Sequence, residues 1–185
     1  MRKLVLILVI LLVLGGTAFA FDPLSYPPPV EGGDLMIDAG LGYVVTGWSD
    51  GKFGIPPIFV IGEFALPVGV PISVGAIVSF FQWKYDYTLL GSKYGYTETF
   101  IVPAFRANWH WGFDVNWLDF YTGLSLGYAI SSVKYRGGSA ATGAAGGYFF
   151  WAGQVGAHFY FTKSIGAMVE FGYPFLIKGG VALKL

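Results

Sequence analysis

Cysteine is absent from the 185-residue sequence, so neither a disulfide nor a thiolate metal site holds this chain together. Charge is scarce as well: Asp, Glu, Lys and Arg supply 12% of the residues, with 11 basic groups against 11 acidic ones. That balance removes the basic excess a nucleic-acid partner needs. Histidine occurs only as His110 and His158, with no carboxylates clustered beside them in the sequence, a poor basis for a metal centre or a general base. From Asp34 onward no helical period matches the strength of a period-two alternation, and no long repeat is present. What abounds is apolar or small, with 55% hydrophobic residues, 19% aromatics and 28 glycines. Such a composition is too apolar for disorder and too glycine-rich for a helical protein, which leaves one β-rich domain.

The first 20 residues differ in kind from the rest. Arg2 and Lys3 precede an unbroken apolar run from Leu4 to Leu14, followed by Gly15, Gly16 and the small-residue site Ala18-Phe19-Ala20. This is the pattern of a secretory leader cleaved after Ala20; the run is short for a membrane anchor. Loss of Arg2 and Lys3 leaves nine basic and eleven acidic groups, a formal charge of −2. Phe21 to Gly33 is rich in proline and glycine and reads as a loose, extended lead-in.

From Asp34 onward the sequence alternates with period two in segments of roughly ten residues, the mark of strands whose successive side chains point to opposite faces. Eight segments are expected: Asp34 to Thr46, Ile58 to Leu66, Ser73 to Tyr87, Thr97 to Trp111, Leu118 to Ile130, Tyr148 to Phe161, Ile165 to Tyr173 and Phe175 to Leu185. In the fourth, Ile101, Phe105, Trp109 and Trp111 fall on one face and Glu98, Arg106, Asn108 and His110 on the other. The third segment turns aromatic at Phe81, Trp83, Tyr85 and Tyr87; its outer half is assigned to no face, and a bulge is allowed for there.

Across all segments the polar face holds few charges and much Gly, Ala and Ser, too little charge for a sheet face in water, whereas the other face is continuously apolar. A soluble barrel has the reverse arrangement. A closed, antiparallel eight-stranded up-and-down transmembrane β-barrel, all-β, satisfies every backbone polar group in lipid and accounts for both faces. With the N-terminus periplasmic, Gly47 to Pro57, Leu89 to Tyr96, Val133 to Gly147 and a turn at Pro174 face outward, and Pro67 to Ile72, Gly112 to Trp117 and Thr162 to Ser164 face the periplasm. Trp109, Trp111, Trp117, Phe120, Phe159 and Phe161 then form a periplasmic aromatic girdle.

Through FIVPAFRANWHW, LDFYTGLSLGYAI and the terminal GGVALKL, the chain beyond the leader resembles the small eight-stranded outer-membrane barrels related to outer membrane proteins A and X and the opacity-type surface antigens. It departs from them in ending on Leu185 instead of Phe. The resemblance implies a bacterial outer-membrane location, contact with outer-membrane lipid and lipopolysaccharide or its equivalent, and assistance from the barrel-assembly machinery. It further implies a monomer, no cofactor and no catalytic residues to transfer.

The candidate site is the barrel interior. Asp38, Glu63, Glu98, Arg106, Asp119, Glu170 and Lys178 share the inward face, with Lys184 beyond them, and are expected to form an ion-paired network that closes the lumen. An alternative resembles outer membrane protein W: Phe81, Trp83, Phe100, Tyr148 and Phe150 would line an apolar gully that passes small hydrophobic molecules. A lipid-modifying barrel enzyme fits less well, because both histidines fall at the periplasmic ends of their strands; an adhesin fits less well because the loops are short and plain.

Overall fold

The computed structural model describes residues 28–43, 51–89, 92–113, 115–136, 142–172 and 177–185. The leader, the lead-in up to residue 27 and the turn at Pro174 lie outside the described residues. Eight strands form: β1 (Leu35–Tyr43), β2 (Lys52–Ala65), β3 (Ile72–Leu89), β4 (Ser92–Trp111), β5 (Leu118–Arg136), β6 (Thr142–Tyr160), β7 (Ile165–Gly172) and β8 (Ile177–Lys184). Each pairs antiparallel with its neighbour in the chain, and β8 returns to β1, so the sheet closes into a barrel. At that seam Gly40 lies opposite Gly180, and a Cβ on either would stand within 2.2 Å of a carbonyl oxygen of the other strand. The two glycines permit the close approach that shuts the barrel.

Period-two alternation governs the wall. Along β4, Val102, Ala104, Arg106 and Asn108 are buried, while Ile101, Phe105 and Ala107 are exposed. Every strand presents large apolar groups outward: Leu41, Val60, Val78, Phe105, Leu124, Trp151, Phe171 and Val181 are all exposed. Keeping each of these in water instead of an apolar medium costs about 1.5–3 kcal/mol, so the belt as a whole demands lipid.

The end at which the chain enters β1 and leaves β8, here the near end, carries the aromatic rings expected of a girdle. Trp109 and Trp111 lie 6.2 Å apart, Trp117 stacks on Phe159 at 6.3 Å, and Trp111 donates to Thr122 Oγ1 at 3.0 Å. The last part of the lead-in departs from the loose segment expected: Val30 packs against Met36 and Ala65, and Lys184 Nζ donates to the Pro29 carbonyl at 2.6 Å. Residues 28–33 are thus tied to β1, β2 and β8 at the near end.

The far end differs more from expectation. β3, β4, β5 and β6 run 18, 20, 19 and 19 residues, against 9, 8 and 8 for β1, β7 and β8. Much of the expected loops Leu89 to Tyr96 and Val133 to Gly147 is therefore strand. Their glycines and serines read as turn residues, but the interleaved tyrosines pair across strands, Tyr85 with Tyr96 at 5.4 Å and Tyr87 with Tyr94 at 5.7 Å. A surplus of roughly ten residues extends four strands about 33 Å further along their own direction.

Two irregularities have proline at their origin. The bulge allowed for in β3 occurs in β2, whose pairing with β3 slips between Phe53 and Ile58, around Pro56 and Pro57. β3 itself pairs with β4 without a register shift, and Phe81 and Trp83 are buried inside. The β4–β5 pairing runs to Ile101 opposite Ile130 and resumes at Ala104 opposite Gly127, skipping Val102 and Pro103. Pro103 has no N–H to give the ladder.

Candidate functional site: the filled lumen

The interior is divided by polarity. Its lower part, toward the near end, holds buried polar groups, all on the inward parity of their strands. Arg106 Nε lies 2.6 Å from Glu63 Oε1, and Arg106 Nη2 donates to Glu170 Oε2 at 2.6 Å. Lys178 forms a close ion pair with Glu170, and Tyr121 donates to Glu170 Oε2 at 2.9 Å. Glu63 accepts from Asn108 at 2.8 and 2.9 Å and from the Ser73 hydroxyl at 2.5 Å. Asn108 in turn accepts from Gln154, which accepts from Ser125.

Ser73 leads to the second half of the network. His110 Nε2 lies 2.9 Å from Ser73 Oγ, and its Nδ1 faces Asp119 at 2.9 and 3.0 Å. His158 places Nδ1 2.8 Å from Asp119 and Nε2 3.1 Å from Asp38, bridging two carboxylates. From Asp38 in β1 to Lys178 in β8, every strand contributes a member. The clustering corrects the expectation of histidines remote from carboxylates; Asp38 and His158 are 120 residues apart in sequence, and only barrel closure brings them together.

Ser73, His110 and Asp119 stand in the order of a nucleophilic triad. Two features separate them from one. All three are at most 1% exposed, and the Ser73 proton is directed at Glu63 instead of His110. The serine oxygen is thereby held between a carboxylate and a ring in a closed interior, without the access to a substrate that a nucleophile needs.

Above the polar part the filling is apolar: Phe59, Ile61, Ile77, Val102 and Phe150 are among one buried cluster. Phe81 and Phe100 stack within it at 4.5 Å, nearly parallel. Trp83 is buried and meets Phe53 edge-on at 4.9 Å.

Of the expected interior residues, Asp38, Glu63, Arg106, Asp119, Glu170 and Lys178 come together. Glu98 does not. It lies eight residues from Arg106 along β4, about 26 Å away, with Phe100, Val102 and Ala104 between, and it hydrogen-bonds Ser131 near the far end. Lys184 also stays outside the network, 3.9 Å from Asp34 at the near end. Among the expected lumen aromatics Phe81, Trp83, Phe100 and Phe150 are buried, but Tyr148 is 49% exposed because it stands where the short strands have ended and the lumen opens. Ser73, Asn108, His110, Tyr121, Ser125, Gln154 and His158 were not expected in the site, although each has the inward parity of its strand. Among the described residues, no group of His, Asp and Glu has the arrangement of a metal site.

No protein-family model and no curated protein matches the sequence. Solved structures do. The crystal structure of the outer membrane protein OprG from Pseudomonas aeruginosa matches with a TM-score of 0.58 and 12% identity, over 84% of this chain and 97% of that one. The attachment invasion locus protein Ail of Yersinia pestis matches with a TM-score of 0.48 and 14% identity, over 84% and 96%. The fold is that of the small eight-stranded outer-membrane β-barrels. Likeness at this level of identity defines the fold and leaves function to the residues.

Proposed function

We propose that the chain is a non-enzymatic outer-membrane protein in which a plugged barrel serves as a scaffold for the sheet projecting from its far end. The observation that carries this reading is the filled lumen, with a network drawn from all eight strands below and an apolar cluster above. Ionised groups held this way lock side chains in place instead of lining a water path. The leader directs the chain out of the cytoplasm, the near end faces the periplasm, and the far end faces the exterior. In this reading the protein is a monomer that needs the barrel-assembly machinery to insert and sits among outer-membrane lipid and lipopolysaccharide or its equivalent. The working surface is the tyrosine-bearing face of β3, β4 and β5, where Tyr87 and Tyr135 are about half exposed. Such rings provide rigid contact area with a polar tip.

Because the chain has no cysteine, single cysteines report its orientation cleanly. Thr88→Cys, near the far tip of β3, is expected to react with a membrane-impermeant maleimide on intact cells. Val68→Cys, in the near-end turn, reacts only after the outer membrane is permeabilised. The opposite pattern would sink the surface-display reading.

A second reading, passage of small apolar molecules, is favoured by one observation. The ladder lapses at Val102 and Pro103, level with the apolar part of the lumen. The wall stays narrow there, since a Cβ on Gly127 would lie 2.6 Å from the Pro103 carbonyl oxygen. The filled-scaffold reading therefore remains the better supported.

A further inference from the structure

We propose that the outer wall formed by β3, β4, β5 and β6 carries a seat for a single acyl chain of a membrane lipid. The proposal rests on the outer-membrane reading and deepens it by naming a place and a chemistry for lipid contact. A hollow of about 750 Å³ opens on this wall. Its ridges are among the most exposed large apolar side chains of the barrel, Phe105 at 77%, Trp151 at 75% and Leu124 at 63%. Between the ridges lie the short side chains of Ala76 and Ala107, so the hollow exists because alanine stands where the neighbouring outward positions carry bulk. Its floor includes the backbone at Arg106 and Ser125, whose side chains turn inward.

A second hollow of about 440 Å³ shares Ala76, Phe105 and Leu126 with the first and continues past Pro103 to Tyr128 and Phe149. The two form one groove. From Ala107 to Pro103 it follows four residues of β4, about 13 Å, and the stretch to Phe149 adds to that. One leaflet's hydrocarbon is about 15 Å deep, half of the usual core.

The occupant follows from the lining. At the lower hollow the strand backbones are engaged in the β3–β4 and β4–β5 ladders, which lapse only higher up at Val102 and Pro103, and the outward side chains there are hydrocarbon or aromatic. A headgroup or a peptide would find no charge there and few polar partners, whereas a hydrocarbon chain fills the space between the ridges and loses nothing. The groove lies within the lipid-facing belt, so an acyl chain is also the molecule already in contact with it.

The test uses the full chain in nanodiscs of phosphatidylcholine doped with a phosphatidylcholine bearing a diazirine in its tail. After illumination, adducts are mapped by mass spectrometry. Adducts at Phe105, Leu124 and Trp151 are expected to exceed several-fold those at Leu41 and Val181, exposed on the opposite wall at 57% and 55%, an excess well beyond the difference in exposure. Ala107→Trp, and separately Ala76→Phe, fill the groove from outside and are expected to abolish the excess while heat-modifiable gel mobility shows a folded barrel. Equal labelling of both walls overturns the seat while leaving the membrane reading intact. A dimer cross-linked through this wall, with the excess absent, overturns it in favour of a second copy of the chain. Failure to enter nanodiscs overturns both readings.

Discussion

Arg106 is the residue on which the polar interior turns. Its guanidinium reaches Glu63 in β2 through one nitrogen and Glu170 in β7 through another, so a single side chain from β4 joins opposite sides of the lumen. Arg106→Ala leaves two buried carboxylates short of a cation, and a loss of about 3–5 kcal/mol is expected. The check is the urea midpoint for loss of heat-modifiable mobility in detergent; a variant as resistant as wild type would defeat the account. Arg106→Lys keeps the charge but has no planar fork to span both partners, and its midpoint is expected between the two. A steric dependence lies nearby. Gly156 is paired with Tyr121, and a Cβ there would meet the Tyr121 ring and hydroxyl at 2.5 Å. Gly156→Ala forces the ring off Glu170, with an expected loss of about 1–3 kcal/mol from overpacking, read from the same urea midpoint.

At the scale of strands, the proline in β4 is open to direct test. Pro103 lies in the lipid-facing belt, where a missing ladder bond has no water to replace it. Pro103→Val supplies an N–H facing β5 and a side chain suited to a strand, and a gain of about 0.5–1.5 kcal/mol is expected. The new valine amide is expected to exchange as slowly as those of Ile101 and Phe105, which face the same strand; a fast-exchanging amide at position 103 would show that the lapse has another cause. The projecting sheet belongs to this scale too. Tyr85→Ala with Tyr96→Ala removes a cross-strand stack worth about 0.2–1 kcal/mol beyond the belt. Faster proteolysis of the far end in proteoliposomes is expected, with the barrel's urea midpoint unchanged.

These strands also show what the sequence makes legible. Alternation between a hydrocarbon medium and a packed interior is enforced at every residue, so the count of eight, the near-end turns and the inward parity of Arg106, Asp119 and Glu170 can all be read directly. Beyond the belt that enforcement ends. Tyr94, Gly95 and Tyr96 carry no medium-imposed pattern, and strand there depends on pairing that a one-dimensional reading does not contain. The same limit applies to the site. Parity places His158 inside, but its partners come from β1 and β5 and depend on how the strands are staggered. Glu98 shows the converse, since sharing a face with Arg106 says nothing about sharing a level.

For the whole molecule, the filled interior sets the expectation for transport. Folded protein in a planar bilayer is expected to show no unitary conductance above that of empty detergent controls. Reproducible channels would instead mean that the network opens, and would promote the second reading. The seam between β1 and β8 has a different consequence, one concerning time. The first strand must find the last, and His158 must find Asp38, before either half of the network is complete. Contacts so distant along the chain form late, because a long loop has to close first. Until β8 arrives, Glu170 lacks Lys178 and the open sheet presents ionised groups toward the bilayer. A partly assembled chain is therefore repelled by the medium that stabilises the finished one, which makes insertion a concerted event: the barrel enters nearly whole or waits outside.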